Sequence, residues 1–339
     1  MRGGGMRIGI AGAGFMGRTH ASGWKRAGCA VAGLLAETEE EARQLASETG
    51  AKVYRDLDAM LAEVDVLDVC SPTHLHAGMV LRGADRGKAI VCEKPLARTE
   101  ADARAMIAAC CRAGTPLFMA HVLRWFPEYA LARERAAAGA IGRIGTMRFE
   151  RLSYRPKKPA GNWFLDEEKS GGIILDLMIH DIDFARWLAG DVTRVFARRI
   201  ASADPGAPVD YGAAMLTHAS GALSHVAGAW AYPPGVFRTG FEISGERGML
   251  RHDSATESPI ESFLASKQGE APDVGLPSSP LALSPYDAEI AEFASCLETG
   301  AAARVAPEDG LEALRIALAA IKSAKTGRAV ELGRAEVTA

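Results

Sequence analysis

Residues 6–17 read Met6-Arg7-Ile8-Gly9-Ile10-Ala11-Gly12-Ala13-Gly14-Phe15-Met16-Gly17. A short apolar run leads into Gly-x-Gly-x-x-Gly, and a helical pattern over 15–27 follows. Strand, glycine turn and helix in that order are the context in which this motif binds a dinucleotide. Gly12 permits the tight turn, Gly14 lets the backbone approach a pyrophosphate, and Gly17 lets the helix pack on the sheet. The N–H groups at the helix start, around Phe15 and Met16, then meet the anion.

Outward from this turn the pattern repeats. Strand-like runs at 30–35, 66–70, 89–92 and 117–120 alternate with helical patterns at 39–49, 76–86 and 99–113. The run at 66–70, apolar but for Asp68, reads as a parallel strand buried on both faces. Thr99 and Asp102 are spaced as a capping pair for the helix they open. Such alternation predicts a parallel sheet covered by helices. The second strand ends Leu34-Leu35-Ala36-Glu37. Glu37 stands about 20 residues beyond the glycine motif, where a carboxylate holds the adenosine ribose hydroxyls. No Arg lies between 36 and 41 to meet a 2′-phosphate, so the expected cofactor is NAD, with NADP not excluded.

After Arg124 the pattern changes. A helix at 127–138 runs through Gly139 and Gly142 into a strand at 146–154, and an irregular stretch with Pro156 and Pro159 follows. Next come a helix near 175–189 and strand-like runs at 194–199, 213–217, 223–230 and 241–244. Their connections are too short for crossover helices, so most of these strands should be antiparallel. The Ser- and Pro-rich stretch 253–285 reads as a long loop or lid. Helices at 287–299 and 308–326 finish the chain, with Gly327 as the stop of the second. The expected division is a dinucleotide-binding domain over 1–123 and an α+β domain with an open, mostly antiparallel sheet over 124–339. The run 222–230 carries apolar residues of both parities (Leu223, Val226, Ala227, Trp230), so the open sheet is expected to bury both faces in a homodimer or homotetramer.

Composition narrows the function classes. A chain of 339 residues exceeds one ordinary core, which agrees with two domains. The net charge of −3 suits neither a nucleic-acid nor an anionic-membrane partner. No apolar run approaches the ~18–20 residues that span a bilayer. The leader 1–5 has one Arg and no apolar core, so it reads as no signal peptide, with Met6 as the effective start. Six cysteines form no C-x-x-C pair. Cys70 and Cys92 read as small buried apolar residues, no metal is expected, and a cytoplasmic, reducing location fits.

Three further stretches carry chemistry. Ser71-Pro72-Thr73-His74-Leu75-His76 follows the strand at 66–70, at the sheet edge where ligands of open α/β folds bind. Ser71, Pro72, Thr73 and His76 are therefore candidate walls for the cofactor. Glu93-Lys94-Pro95 follows the next strand at the same edge, and a Lys there can contact a substrate oxygen. Pro95 holds Lys94 extended. The third stretch is Gly171-Gly172-Ile173-Ile174-Leu175-Asp176-Leu177-Met178-Ile179-His180-Asp181-Ile182-Asp183. Asp176 and His180 are four apart, so one continuous helix would set them on one face. A carboxylate and an imidazole so placed can orient a hydroxyl and move its proton. A structural hydrogen-bonded pair is the alternative, and a metal pair is a third, although no further ligand is close in sequence.

With these motifs the chain resembles the Gfo/Idh/MocA oxidoreductases over nearly its whole length. The resemblance rests on the glycine motif, Glu93-Lys94-Pro95, the 139–145 turn region, the 170–183 block and Tyr-Asp-Ala-Glu-Ile-Ala-Glu-Phe at 286–293. It departs from the family at Ala36, where Asp is frequent, and at Thr73, where Asn is frequent. The resemblance implies that Lys94, Asp176 and His180 are catalytic and that Glu93 and Lys94 border the cofactor. It implies hydride transfer between a nicotinamide and a carbinol of a sugar, cyclitol or related polyol lying in an interdomain cleft. Arg124, Trp163 and Tyr286 are candidate substrate walls, Trp163 because an aromatic face suits a sugar ring. Two other readings stay open: an NAD-dependent glycosidase, and a non-catalytic dinucleotide-binding regulator.

Overall fold

Ile8 and Ile10 of β1 (Arg7–Ala11) are fully buried, and the strands beside it are apolar on both parities. The computed structural model describes residues 5–156, 163–202, 209–255 and 284–333. Most of the expected loop at 253–285, and Pro159, lie outside these residues. The remaining elements of the first half are α1 (Phe15–Arg26), β2 (Ala30–Leu35), α2 (Glu39–Thr49), β3 (Lys52–Tyr54), α3 (Leu57–Leu61), β4 (Val66–Val69), α4 (His76–Asp85), β5 (Ala89–Glu93), α5 (Glu100–Ala113) and β6 (Leu117–Ala120). The strands form one parallel sheet in the order β3-β2-β1-β4-β5-β6. The short β3 and α3 carry too few residues to show a period, which is why the sequence pattern passed over them. The cap at Thr99 is as expected: its Oγ1 accepts from the Asp102 N–H at 3.1 Å.

The second half contains α6 (Pro127–Ala137), β7 (Ile144–Ser153), α7 (Glu167–Ser170), α8 (Gly172–Asp176), α9 (Ile179–Ala189), β8 (Val192–Ala201), β9 (Asp210–His218), β10 (Leu223–Trp230), β11 (Phe237–Gly245), β12 (Gly248–Asp253), α10 (Pro285–Thr299), α11 (Pro307–Thr326) and β13 (Val330–Glu331). Seven strands form a second sheet, β12-β11-β7-β10-β9-β8-β13, antiparallel except for the β7–β10 pair. One face packs under helices: Phe149, Ile243, Val226, Leu216 and Val195 are essentially inaccessible. Phe184 of α9 meets Tyr129 and Phe149 edge-on at 4.9 and 5.9 Å between ring centroids. The fold is thus α/β with a parallel Rossmann sheet followed by a mixed, mostly antiparallel one.

The described chain clusters into two compact units, 1–125 with 280–311 and 126–279 with 312–339. The clustering differs at one place from a division into 1–123 and 124–339. Helix α10 returns to the first unit, where Phe293 stacks on Phe118 (centroids 5.3 Å apart), Glu292 accepts from Trp125 Nε1 at 2.9 Å, and Asp287 pairs with Arg26. An amphipathic pattern states that a helix buries one face; it does not state which surface covers that face.

Candidate active site

The carboxyl ends of β1, β4 and β5 lie side by side in the first unit, where the strand order reverses. Ligands of open α/β sheets bind outside this point. Gly12 has φ +114, and a Cβ there would stand 2.4 Å from the Cys70 carbonyl oxygen. A Cβ at Gly17 would stand 1.8 Å from the Gly12 oxygen. The turn is therefore open only to glycine at both positions, and α1 begins at once, with Gly14 as a cap that offers no side chain. The first N–H groups of a helix lack intrahelical acceptors, so those of Phe15, Met16 and Gly17 are available to an anion. Ser71 Oγ, buried beside this turn, has no hydrogen-bond partner among the described residues. Backbone donors, a helix start and a spare hydroxyl fit the pyrophosphate of a dinucleotide.

The other predicted cofactor residues fall around the same edge. Glu37 is exposed, two residues past β2 and next to Thr38, which caps α2. Pro72 and Thr73 open a single turn after β4, with Thr73 buried. His76 is buried too, and its ring nitrogens face the Pro95 and Ser71 carbonyl oxygens at 2.9 Å each. It therefore ties the loop after β4 to the loop after β5. Both partners only accept, and burial lowers the ring's affinity for a second proton, so a neutral ring serves one carbonyl at a time. Glu93 closes β5, and its Oε2 accepts from the Lys94 backbone N–H at 2.9 Å. Lys94 is half-buried, and the Lys94–Pro95 peptide is cis.

Beneath that loop lies a cluster the sequence reading did not contain. His20 of α1 is fully buried, with Nδ1 3.0 Å from both Asp68 oxygens and 3.3 Å from Cys70 Sγ. Its Nε2 faces Glu93 Oε1 at 3.2 Å, an ion-pair contact whose alignment falls short of a hydrogen bond. Trp24 Nε1 donates to Asp68 Oδ2 at 2.7 Å. Burial is the largest single influence and opposes a charge on His20, but Asp68 and Cys70 in contact together outweigh it, and the ring's pKa rises well above the ordinary value. Burial, with Asp68 nearby, pushes the Cys70 thiol up, and burial with Glu93 pushes the Glu289 carboxyl well up. His20, Asp68 and Cys70 are also of the types that ligate metals and lie within 4.8 Å of one another. Their mutual contacts and the Trp24 bond already engage those atoms. The signal was present in sequence: Asp68 interrupts an apolar strand, and a buried carboxylate needs a partner. His20 and Trp24, four apart, share the α1 face that Gly17 begins.

In the second unit, Asp176 ends α8 and His180 is the second residue of α9. The single helix expected over 175–189 is instead two, separated at Leu177 and Met178. The backbone widens there, with the Leu177 and Met178 N–H groups both donating to the Ile173 oxygen, the second bond reaching five residues back. Met178 is fully buried over Gly212 and Gly228, neighbours on β9 and β10. A Cβ at Gly212 would be 2.6 Å from its sulfur and one at Gly228 2.5 Å from its Cγ. The sheet thus has a hollow that takes the side chain at the break. Next to His180, Asp181 binds Arg151 of β7 through two bonds of 2.8 and 3.0 Å, both side chains buried. Asp176 is buried and His180 half-buried.

The three substrate-wall candidates separate. Trp163 stacks on Phe164 in the second unit, with centroids 4.0 Å apart. Tyr286 is buried at the start of α10 in the first. Arg124 is only 1 % exposed, its guanidinium on Asp309 at 3.0 Å and on the Arg304 carbonyl at 3.2 Å. That is the setting of an internal strut, with no surface left for a substrate.

Comparison with known proteins agrees with this geometry. Residues 6–121 match the model of the oxidoreductase family with an NAD-binding Rossmann fold, and residues 129–251 match the GFO/IDH/MocA C-terminal domain. The chain is 32 % identical to a D-apiose dehydrogenase of Paraburkholderia graminis over 97 % of this chain and 90 % of that one. It is 30 % identical to a myo-inositol 2-dehydrogenase of Thermotoga maritima, over 96 % of this chain and 98 % of the other. The crystal structure of a probable dehydrogenase from Thermotoga maritima superposes with a TM-score of 0.80 at 27 % identity, covering 96 % of this chain and 98 % of that one.

Proposed function

This chain belongs to the GFO/IDH/MocA family of NAD-binding oxidoreductases, and from that premise we propose that it oxidises a carbinol of a sugar, cyclitol or related polyol. The observation that carries the reading is the Gly12–Gly17 turn, closed to any side chain at two positions and opening α1 toward an anion. The names of the two relatives, an apiose and an inositol dehydrogenase, support the substrate class.

In this reading Gly12, Gly14, Phe15, Met16, Gly17 and Ser71 hold the pyrophosphate, and Glu37 takes the ribose hydroxyls. Bound NAD+ supplies the hydride acceptor. Lys94 Nζ holds the substrate oxygen and, as an ammonium, stabilises the alkoxide as it develops. The His180 imidazole or Lys94 receives the hydroxyl proton. Asp176 orients the reacting hydroxyl, and Trp163 offers its face to the sugar ring.

The protein is further proposed to be a homodimer or homotetramer joined through the uncovered face of its second sheet. Phe196, Ile200, Met215 and Leu223 are 41 to 67 % exposed there, and Phe196 pairs directly with Met215. Apolar side chains gathered on one sheet face mark an association surface. A reducing, cytoplasmic location is proposed because all six cysteines are unpaired. No helix among the described residues is long and apolar enough to cross a membrane.

The deciding experiment is a panel of sugars and cyclitols, including D-apiose and myo-inositol, offered with NAD+ and NADP+ and followed by reduced-cofactor absorbance. Net NADH formation with a free polyol is expected. NAD binding without turnover on any polyol, or release of a glycoside leaving group at constant NADH, overturns the proposal.

A further inference from the structure

A neutral imidazole carries one N–H, yet His20 has a carboxylate at each ring nitrogen: Asp68 at 3.0 Å and Glu93 at 3.2 Å. In the neutral ring one lone pair would face a carboxylate oxygen. The ring is fully buried, and Trp24 holds Asp68 in place from the other side. Glu93 divides its two oxygens, Oε1 toward His20 and Oε2 toward the Lys94 backbone N–H. We propose that His20 is a positioning residue for Lys94: as an imidazolium clamped between Asp68 and Glu93, it fixes the carboxylate on which the Lys94 backbone rests. The proposal rests on the reading that Lys94 acts on the substrate.

The groups facing His20 come from three elements. They are Asp68 and Cys70 at the end of β4, Glu93 at the end of β5, and Glu289 on α10, with Glu292 close to Glu289. Burial drives the Cys70 thiol and the Glu289 carboxyl toward their neutral forms. The ring is left facing two anions, and its cation is the group that offsets them. Loss of that proton would set Asp68 and Glu93 against each other across a neutral ring. Glu93 would then leave its place, and the Lys94 backbone would lose its acceptor. A charge-assisted bond, such as that from His20 to Asp68, fixes geometry more firmly than a neutral one, and the Glu93 contact adds an ion pair to it.

Two measurements on the full chain test this. In 15N-histidine-labelled protein, with His20 assigned by its loss in His20→Gln, both ring nitrogens should still be protonated at pH 8. An ordinary histidine, with a pKa of about 6.5, is mostly neutral there. In protein labelled instead with 15N-lysine, the Lys94 amide signal should follow His20 as it titrates, and should cease to follow it in Glu93→Gln. A neutral His20 at pH 8, or a bound zinc ion at one per chain, overturns the clamp. The second measurement is kinetic, with NAD+ and the panel polyol that turns over fastest. His20→Gln should lower kcat about tenfold with little change in the KM for NAD+, and should cost nothing further in a Lys94→Ala background, because coupled residues are not additive. A full multiplicative loss in the double variant overturns the positioning role. Where His20→Gln fails to fold, Glu93→Gln serves in the same cycle. Unreduced kcat in Lys94→Ala sinks the functional reading alone, since the imidazolium is judged separately by its own nitrogens.

Discussion

In the first unit, a sheet buried on both faces hides a histidine between two carboxylates; in the second, a sheet with one face exposed among the described residues hides an arginine against an aspartate. Each buried pair stands next to a proposed catalytic group in sequence. Glu93 precedes Lys94, and Asp181 follows His180. The two cations differ in one physical respect. A guanidinium keeps its charge at any ordinary pH, whereas an imidazolium can lose it. The Arg151–Asp181 contact is therefore a permanent anchor of α9 on β7, and the His20 contact is one that alkali can release.

The comparison breaks first if only one unit serves the chemistry. Lys94→Ala and His180→Ala should each lower kcat by about 10²–10⁴-fold, the scale of a lost acid or base. NAD affinity should barely change, because the glycine turn is untouched. Isothermal titration with NAD+ beside steady-state kinetics checks both, and a near wild-type kcat in either folded variant removes that unit from the mechanism.

Next in size is the permanent anchor. Arg151→Met leaves Asp181 buried without its cation and should cost about 3–5 kcal/mol of stability, the range for a broken buried pair. The double variant Arg151→Met/Asp181→Leu should recover much of that loss. Urea unfolding of both decides it. A loss below about 1 kcal/mol in the single variant would place the pair with weak surface bridges.

The third contrast is in pH. His20 has its folded pKa raised, so its stabilisation is fully present below the unfolded value and is lost as pH rises through the folded one. Glu289, also raised, has the same sign. The depressed carboxyls Asp58, Asp65 and Asp253 act oppositely, stabilising above their unfolded values and failing on acidification. Stability should therefore decline from pH 7 into the alkaline range. His20→Gln should flatten that decline and Arg151→Met should leave it in place. Unfolding midpoints measured from about pH 7 to about pH 10 show whether the slopes differ as stated.

The smallest effect belongs to the first unit alone. Glu37 is exposed, so Glu37→Ala should narrow the preference for NAD over NADP by about fivefold at most, the scale of a solvated charge pair. Dissociation constants for both cofactors measure it. An unchanged ratio would mean that Glu37 does not face the ribose.

Much of the first unit was legible because its signals are short. Gly12 and Gly17 are dictated by atoms a few residues away or on the adjoining strand. Thr99 and Asp102 cap their own helix, and in the second unit Gly327 ends α11 at positive φ. The strand-like runs at 194–199 and 213–217 were likewise read within each segment. Lys94 was singled out because it follows a strand at the edge where ligands of such sheets bind. The mixed order of the second sheet, with β7 lying parallel beside β10, is invisible to such reading, since every strand shows the same period whichever neighbour it takes.

Local sequence determined, then, the longer strands and helices, several of their stops, and a glycine turn suited to an anion. These follow from sterics and hydrogen bonds that span a few residues. Tertiary structure decided the rest. It returned α10 to the first unit, broke the helix between Asp176 and His180 where Met178 drops into the hollow over Gly212 and Gly228, and turned Arg124 into an internal strut. It also set His20, Asp68 and Glu93 in contact from three separate elements. A buried polar residue announces in sequence that it needs a partner. Only the packed chain brings that partner, tens of residues distant, to within about 3 Å, the reach of a hydrogen bond.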